Sequence, residues 1–394
     1  MNIALRSLTF LIPSVGIVGG LSLAPMIGLF LIFFLLALKS YSVIQTTQGR
    51  QFHLPRLAGY LFLLWCGVSI LWSAQPAGSL ILLSKLLILF MLCSSICCSE
   101  VSSKTIIELR NIIAPPLLYG MIAAIALFFI EYFTNGFITL TFRSAFQSAK
   151  EHSFGLHMLD RGCTFLSLIS WVAIGWLLQN NKKFIALIIY CVTLYLLSIS
   201  DSLSGFVSFI LGSLAFIAIL VSRKFIWLIM ICMLATSVLL PITFNKMDPL
   251  EISEKFHQLP TSAKHRLFIW HFAAEKAYQS PMLGLGFNSS KSLGTDNDVI
   301  PYHNEQFSLL PLHPHNNILQ VLLETGAIGL GLFMTMMCSL LAKISTEFKD
   351  AKAQAACFVS YFSVGMISFS LWQTWWVASG LFVVLMMTIL LDRK

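Results

Sequence analysis

The chain has 394 residues, of which 57% are hydrophobic and only 11% are charged. A soluble domain carries about 25% charged residues, so this composition excludes a soluble globular protein and indicates an integral membrane protein. Spans in lipid are expected to be helices, and the net charge of +8 then indicates basic cytoplasmic loops rather than a nucleic-acid partner.

The first apolar run, Leu8 to Leu23, resembles a signal peptide, but it lacks an A-x-A cleavage site and a second run follows at once. We therefore predict an uncleaved first span in an all-α, polytopic membrane domain covering residues 1–394. The nine cysteines fall in or beside apolar runs, which favours small buried side chains over disulfides or metal ligands. About twelve spans are predicted: 8–23, 26–38, 56–72, 79–98, 112–131, 163–179, 184–199, 204–221, 225–244, 316–341, 355–371 and 377–391.

The basic residues indicate the orientation of these spans. With the N-terminus in the cytoplasm, cytoplasmic segments hold 15 of the 25 lysines and arginines, and the short outer loops hold none. This asymmetry follows the positive-inside rule and places both termini in the cytoplasm. Two longer outer loops, 132–162 and 245–315, contain eight of the nine histidines, all except His53. Polar groups gathered at one membrane face favour chemistry or binding there, whereas a transporter concentrates them at mid-membrane.

Two cations near the outer ends of spans are candidate phosphate ligands. Lys85 lies about a turn and a half inside the outer end of its predicted span, and Arg161 directly precedes another span. Either side chain could instead extend its charge to the interface, which is the ordinary behaviour of lysine and arginine there. If both turn inward, their natural partner is a lipid-linked diphosphate.

The larger outer loop, 245–315, contains "TSAKHRLFIWHFAAEKAYQSPMLGLGF", residues 261–287. This stretch predicts an interfacial helix that ends before Pro281 and is followed by a tight turn. Arg266 and Trp270 are i,i+4 neighbours on one helix face. The guanidinium group could bind phosphate through two parallel hydrogen bonds, or it could simply contact lipid headgroups, and this segment alone favours neither.

The tenth predicted span begins with "HPHNN", residues 313–317, at its outer end. A helix N-terminus offers free backbone N–H groups and a positive dipole end to an anion, and Asn316 can cap it. His315 would stand beside a bound anion, where an imidazole can take a proton from a hydroxyl group. His313 would help to position the substrate. The alternative, a polar helix cap at the water boundary, is weighed equally.

A zinc site is a rival interpretation of the H-x-H pair, with His303 nearby. Because no H-E-x-x-H motif is present and no cysteine joins the pair, we predict no metal and no cofactor. Glu324 follows His315 by nine residues, which places the two side chains on opposite faces of an unbroken helix. We therefore expect Glu324 to pack with Gly326 and Gly329 rather than to orient His315.

The motifs resemble the O-antigen ligase and polymerase superfamily. "HPHNNILQVLLETGAIGLGLF" is similar to its H-x-H-N block followed by an E-x-G-x-x-G helix. "WSAQPAGS" (72–79), "DRGCTFLSLISW" (160–171), "HRLFIW" (265–270) and "SPMLGLGFNS" (280–289) resemble further family elements in the same order. Many members carry an arginine in a short outer loop as S-x-S-R, whereas Leu203 and Ser204 occupy the matching positions here.

The resemblance implies a GT-C-like, metal-independent and inverting glycosyltransferase of the bacterial inner membrane. Its donor would be a glycan on undecaprenyl diphosphate, bound on the periplasmic face. His315 would be the essential base and Arg266 the loop arginine that balances the leaving diphosphate. Arg161 and Lys85 are candidates for the missing cation, with His313, Asn316 and Trp270 as further substrate-binding residues.

The acceptor is left open by the resemblance. We favour lipid A–core, which makes the protein an O-antigen ligase, because no added domain for a protein acceptor is evident. A polysaccharide polymerase and a protein O-oligosaccharyltransferase are the alternatives within the superfamily. A transporter or flippase is the alternative of another class, and it would require more mid-membrane polar groups than Lys85 and Glu324. Membrane lipids are the other expected partners.

Overall fold

The fold is known from a computed structural model that describes residues 2–40, 53–97, 99, 101–146, 153–294, 299–302, 305–310 and 312–392. These residues form fifteen α-helices and one two-stranded antiparallel hairpin. The helices are α1 (Asn2–Val18), α2 (Leu23–Ser40), α3 (His53–Ser69), α4 (Pro76–Cys97), α5 (Ser103–Phe133), α6 (Phe137–Phe146), α7 (Asp160–Gln179), α8 (Lys183–Ile199), α9 (Leu203–Val221), α10 (Phe225–Lys246), α11 (Pro249–Lys255), α12 (Thr261–Gln279), α13 (Asn317–Glu347), α14 (Lys352–Ile367) and α15 (Thr374–Leu390); the strands are β1 (Val299–Tyr302) and β2 (Glu305–Ser308).

The predicted all-α, polytopic membrane fold is confirmed. Each of the twelve predicted spans coincides with a helix, and the extra elements, α6, α11, α12 and the hairpin, lie in the two longer loops. Within the described residues, eight helical segments are long and apolar enough to cross a membrane. Three shorter apolar helices accompany them, namely α1, α8 and α15, whereas α14 has only 16 residues.

The helix α7 forms the centre of the bundle, and every residue from Gly162 to Gly175 is buried. Small residues let its neighbours approach closely. A Cβ atom on Gly162 would lie 2.4 Å from the Cα atom of Ile17 in α1. In α9, a Cβ atom on Gly212 would lie 2.8 Å from the Ala356 carbonyl oxygen of α14. Close backbone approach of this kind is how helices associate in lipid, where no hydrophobic force drives them together.

The helix α13 is broken at Gly326, which corrects the expectation of an unbroken helix. Gly326 has φ +66° and ψ −171°, and the segment 281–286 lies against the break. Residues 327–347 still extend about 31 Å at 1.5 Å per residue, enough to cross the hydrocarbon core. The bonds at the break run from the backbone N–H of Ala327 to Pro281 O (2.8 Å), of Leu285 to Leu323 O (2.9 Å) and of Gly286 to Glu324 O (2.9 Å).

The large outer loop packs onto the bundle through α12. His271 in α12 places its Nδ1 atom 2.9 Å from the Phe244 carbonyl oxygen at the end of α10. The ring of Trp270 stacks on the ring of Phe244 at a centroid distance of 4.8 Å. Phe268, on the same helix, is only 4% exposed. These contacts hold α12, and with it Arg266, over the C-terminal end of α10 and the N-terminal end of α13.

Candidate active site

His315 lies just before α13. Hydrogen bonds engage both its backbone N–H group and its ring Nδ1 atom. Its backbone adopts φ +53°, and its backbone N–H donates to Nδ1 of His313 at 3.1 Å. Its own Nδ1 atom lies 2.6 Å from the carbonyl oxygen of Ser368, at the end of α14. Because a carbonyl oxygen can only accept, Nδ1 carries the proton and Nε2 of the neutral ring carries the lone pair.

Burial lowers the pKa of His315 below its ordinary value, and electrostatic interactions with Arg266 and His265 act in the same direction. The hydrogen bond to Ser368 opposes this shift. Burial, together with His315 and Lys291, lowers the pKa of His313 to about 3. Both imidazoles are therefore neutral at neutral pH. His315 has the protonation state that a general base requires.

Asn316 caps α13, as the sequence predicts. Its Oδ1 atom accepts the Leu319 backbone N–H at 3.0 Å, and its Nδ2 atom donates to the Met366 carbonyl oxygen at 3.0 Å. Asn316 is 1% exposed. Its side chain therefore joins the start of α13 to the end of α14. Both polar atoms of the Asn316 side chain form hydrogen bonds within the protein. These bonds account for its burial without a contact to substrate.

Arg266 faces the start of α7. The carboxylate of Asp160 acts electrostatically on its guanidinium group, and that group in turn acts on the ring of His315. Burial lowers the pKa of Arg266 from its ordinary value and Asp160 opposes that effect, so the group stays charged at neutral pH. Asp160 itself accepts hydrogen bonds from the hydroxyl groups of Ser202 and, at 3.4 Å, Thr164. The sequence pattern did not identify Asp160 as a partner of Arg266, because the two residues are 106 positions apart.

A polar cavity of about 360 Å³ opens beside His313, which is part of its lining. Among the predicted site residues, Lys85, Arg161 and His313 line it. Lys291 lines it as well, and sequence reasoning missed this residue. The Nε atom of Arg161 is buried and has no hydrogen-bond partner in the described part of the chain. The three ion pairs among the described residues involve none of these cations. The cavity is therefore suited to an anion.

Not every predicted residue lines this cavity. His315, Arg266 and Asn316 lie outside its lining, and so does Trp270, which packs on Phe244. The arginine that many family members carry in a short loop has no counterpart here, because neither Leu203 nor Ser204 at the matching positions is charged. Across the described residues, no group of three His, Cys, Asp or Glu side chains could hold a metal ion. His303, the third member of the rival zinc site, falls outside the described residues.

Glu324 has a different role from the packing role that the sequence suggested. It is 0% exposed and lines the same cavity. Its carboxylate accepts the backbone N–H of Asn288, the hydroxyl of Ser290 (2.5 Å), the amide of Gln320 (3.2 Å) and the indole N–H of Trp372 (2.7 Å). Four donors match an ionised carboxylate, which can only accept. We call Glu324 and these four donors the Glu324 clamp.

The Glu324 clamp joins two loops to α13 around the cavity. It holds the loop that carries Lys291 against α13, and it holds the loop between α14 and α15 through Trp372. Gln320 reinforces the second attachment, because its Oε1 atom accepts the Leu371 backbone N–H at 3.2 Å. The same α14–α15 loop supplies the Ser368 carbonyl oxygen that orients His315. Lys291 and His315 are thus positioned by one connected network.

The chain is similar over its length to proteins of Rickettsia. The family model described as O-antigen ligase matches residues 185–334. A protein of Rickettsia typhi that is provisionally named a polysaccharide ligase is 41% identical over 415 residues, which cover 99% of this chain and 98% of the relative. Proteins of Rickettsia prowazekii and Rickettsia felis with the same provisional name are each 40% identical, with the same coverage.

Proposed function

Because the chain belongs to the O-antigen ligase superfamily, we propose that it is a polysaccharide ligase acting at the periplasmic face of the bacterial inner membrane. Its donor would be a glycan on undecaprenyl diphosphate and its acceptor lipid A–core. The observation that carries this proposal is the cation-lined cavity beside a neutral, oriented histidine. Both termini would lie in the cytoplasm, in agreement with the distribution of basic residues.

The leaving diphosphate would occupy the polar cavity. Lys85, Arg161 and Lys291 would surround its oxygens, and the unpartnered Nε atom of Arg161 supplies a ready donor. Fixed positive groups stabilise the negative charge that develops as the glycosidic bond to phosphate breaks. Arg266, on the adjoining side, would balance charge between the cavity and His315. Lys291 is our candidate for the cation absent at Leu203 and Ser204.

His315 would act as the general base. Its Nε2 atom would take the proton from the attacking acceptor hydroxyl, whose oxygen forms the new bond to the anomeric carbon as the diphosphate leaves with the bonding electron pair. Attack opposite the leaving group inverts the anomeric configuration. His313 and Asn316 would position the substrate indirectly, because both hold the segment that carries His315. The step uses no metal and no cofactor.

The transporter alternative gains one feature from the structure, since broken helices with buried carboxylates are typical of transporters. At this break, however, the chain's own segment 281–286 takes up the backbone groups of α13. Glu324 is likewise engaged by four donors of the protein. The break therefore anchors a loop, and the proposal of an enzyme keeps the advantage.

A complementation experiment tests the proposal. The gene is deleted and restored as wild type, His315→Ala or Arg266→Ala at matched membrane levels, and lipopolysaccharide is analysed beside the extracted lipid-linked glycans. We expect both variants to leave bare core while undecaprenyl-linked chains accumulate. Full ladders from both variants would overturn the proposed site.

The matched control is His257→Ala, because His257 is an exposed histidine of the same outer loop. It should restore full ladders. The deletion strain also separates the acceptors. A polymerase mutant would attach a single repeat to the core instead of leaving it bare, and a protein-directed enzyme would leave lipopolysaccharide unchanged while glycopeptides disappear.

A further inference from the structure

A second cavity, of about 230 Å³, lies among α3, α4, α13, α14 and α15. Its wall is almost entirely apolar and includes Phe62, Phe90 and Met337. Along α13 the lining runs from Phe333 to Ile344, which is about 17 Å at 1.5 Å per residue. The hydrocarbon core of a bilayer is about 30 Å thick, so this apolar channel extends over about half of it.

The outer end of the apolar channel is closed by Trp372. This residue lines both cavities, and its indole N–H is bonded to Glu324 at 2.7 Å. Its ring contacts Phe287 at a centroid distance of 4.8 Å and stacks on Phe62 at 6.0 Å. A side chain fixed on three sides separates the polar cavity from the apolar channel. The donor's diphosphate site and the apolar channel are therefore distinct compartments.

The opposite end of the apolar channel is polar and basic. Arg56 near the start of α3, Lys343 near the end of α13 and Gln354 in the first turn of α14 line it. Gln354 is 1% exposed, and neither atom of its carboxamide has a hydrogen-bond partner in the described part of the chain. A buried polar group without a partner is costly, so this amide implies a polar ligand that completes it.

We propose that the apolar channel binds an anionic glycerophospholipid of the cytoplasmic leaflet. One acyl chain would fill the channel, and the phosphate would lie against Arg56 and Lys343 while accepting from Nε2 of Gln354. Basic pockets between helices on the cytoplasmic side select anionic headgroups, and one acyl chain spans about half of the hydrocarbon core. Lys343 also pairs with Glu347, so the phosphate would share this cation. This site is independent of the proposed transfer reaction.

The test is a thermal unfolding measurement on the purified, delipidated full chain in detergent. Dioleoyl phosphatidylglycerol should raise the melting temperature by about 2–5 °C more than dioleoyl phosphatidylcholine does. Dioctanoyl phosphatidylglycerol has the same headgroup but a short chain, and it should give less than half of this difference. Equal shifts from the two dioleoyl lipids, or from the long and short chains, would overturn the proposal.

Variants assign the effect to the polar end. Arg56→Ala and Gln354→Leu should each abolish the preference for phosphatidylglycerol, whereas Lys104→Ala should retain it. Lys104 is an exposed cation of the same predicted face that does not line the channel. If Arg56→Ala and Gln354→Leu keep the preference, the headgroup site is wrong. If undecaprenyl phosphate stabilises all these variants and phosphatidylglycerol does not stabilise wild type, the channel holds the donor's tail instead, which also overturns the proposal.

Discussion

At the scale of single residues, the arrangement of the site depends on which polar atoms form hydrogen bonds within the protein. Asn316 was identified from sequence because capping is a local interaction within one turn. Ser368 could not be identified in this way, because it lies 53 residues from His315 and offers only a backbone oxygen. Lys291 follows a glycine turn, which is a weak local signal, and its approach to His313 depends on the tertiary fold. Local chemistry was predictable, and contacts between loops were not.

The pH dependence of transfer should report the state of His315. Because its folded pKa lies below the ordinary value, the ring is neutral at pH 7 and becomes protonated only as the pH falls below about 6.5. We expect kcat/KM to be constant between pH 7 and 8 and to fall on the acidic side. His265→Ala removes an electrostatic interaction that lowers the pKa of His315, so the acidic limb should move to higher pH. An unchanged limb in this variant would contradict the assignment of the limb to His315.

Lys291→Ala should weaken the donor complex. A hydrogen bond to a charged group contributes about 1.5–3 kcal/mol, so kcat/KM for the lipid-linked donor should fall about tenfold to a hundredfold. Steady-state kinetics on purified protein would measure this. Lys255→Ala is the matched control, because Lys255 is an exposed cation of the same outer loop and does not line the cavity. Equal losses in the two variants would indicate a general electrostatic effect instead.

At the scale of elements, hydrophobic runs predicted the existence of the spans well and their internal geometry poorly. The run from 316 to 341 has the composition of one continuous helix, and nothing in its periodicity marks Gly326 as a break. The break exists because the segment 281–286 from another loop supplies the hydrogen bonds that an unwound turn loses. The segment between His315 and Glu324 lies before the break, so their predicted separation does not depend on it, and the role of Glu324 follows from the incoming loop.

Gly326→Ala should destabilise the protein far more than Gly331→Ala. A side chain at φ +66° and ψ −171° is strained by about 1–3 kcal/mol, and a Cβ atom there would lie 2.2 Å from the Met282 carbonyl oxygen. Gly331 lies on the same helix, and a Cβ atom there meets nothing within 4 Å. Thermal unfolding of the purified variants would measure the difference. Equal melting temperatures would mean that the break is not maintained in solution.

At the scale of the whole molecule, the charge distribution and the fold agree. Basic side chains dominate the face on which α3 and α14 begin, whereas the polar cavity and the Glu324 clamp lie at the opposite face. The positive-inside rule needs no tertiary information, so the orientation of the chain is a prediction from the sequence alone. The pairing of helices was not predictable, because the small residues that permit it are spread evenly through the apolar runs.

Reporter fusions should give the predicted orientation. Green fluorescent protein fused after residue 394 should fluoresce, since it folds in the cytoplasm, and alkaline phosphatase at the same point should be inactive. Phosphatase fused after Gln75, in the loop between α3 and α4, should be active in the periplasm. The reverse pattern would place the polar cavity on the cytoplasmic side and would remove the basis for a periplasmic reaction.

The bond between His315 and Ser368 also has a consequence for the order of synthesis. A ribosome that has just delivered α13 to the membrane has made the histidine but not the carbonyl oxygen that sets its tautomer, which follows 53 residues later. Trp372, which completes the Glu324 clamp, arrives later still. A partly translated chain would therefore hold its catalytic groups unaligned. Under the proposed mechanism the protein becomes active only when almost all of it has been inserted, so truncated products are expected to be inactive.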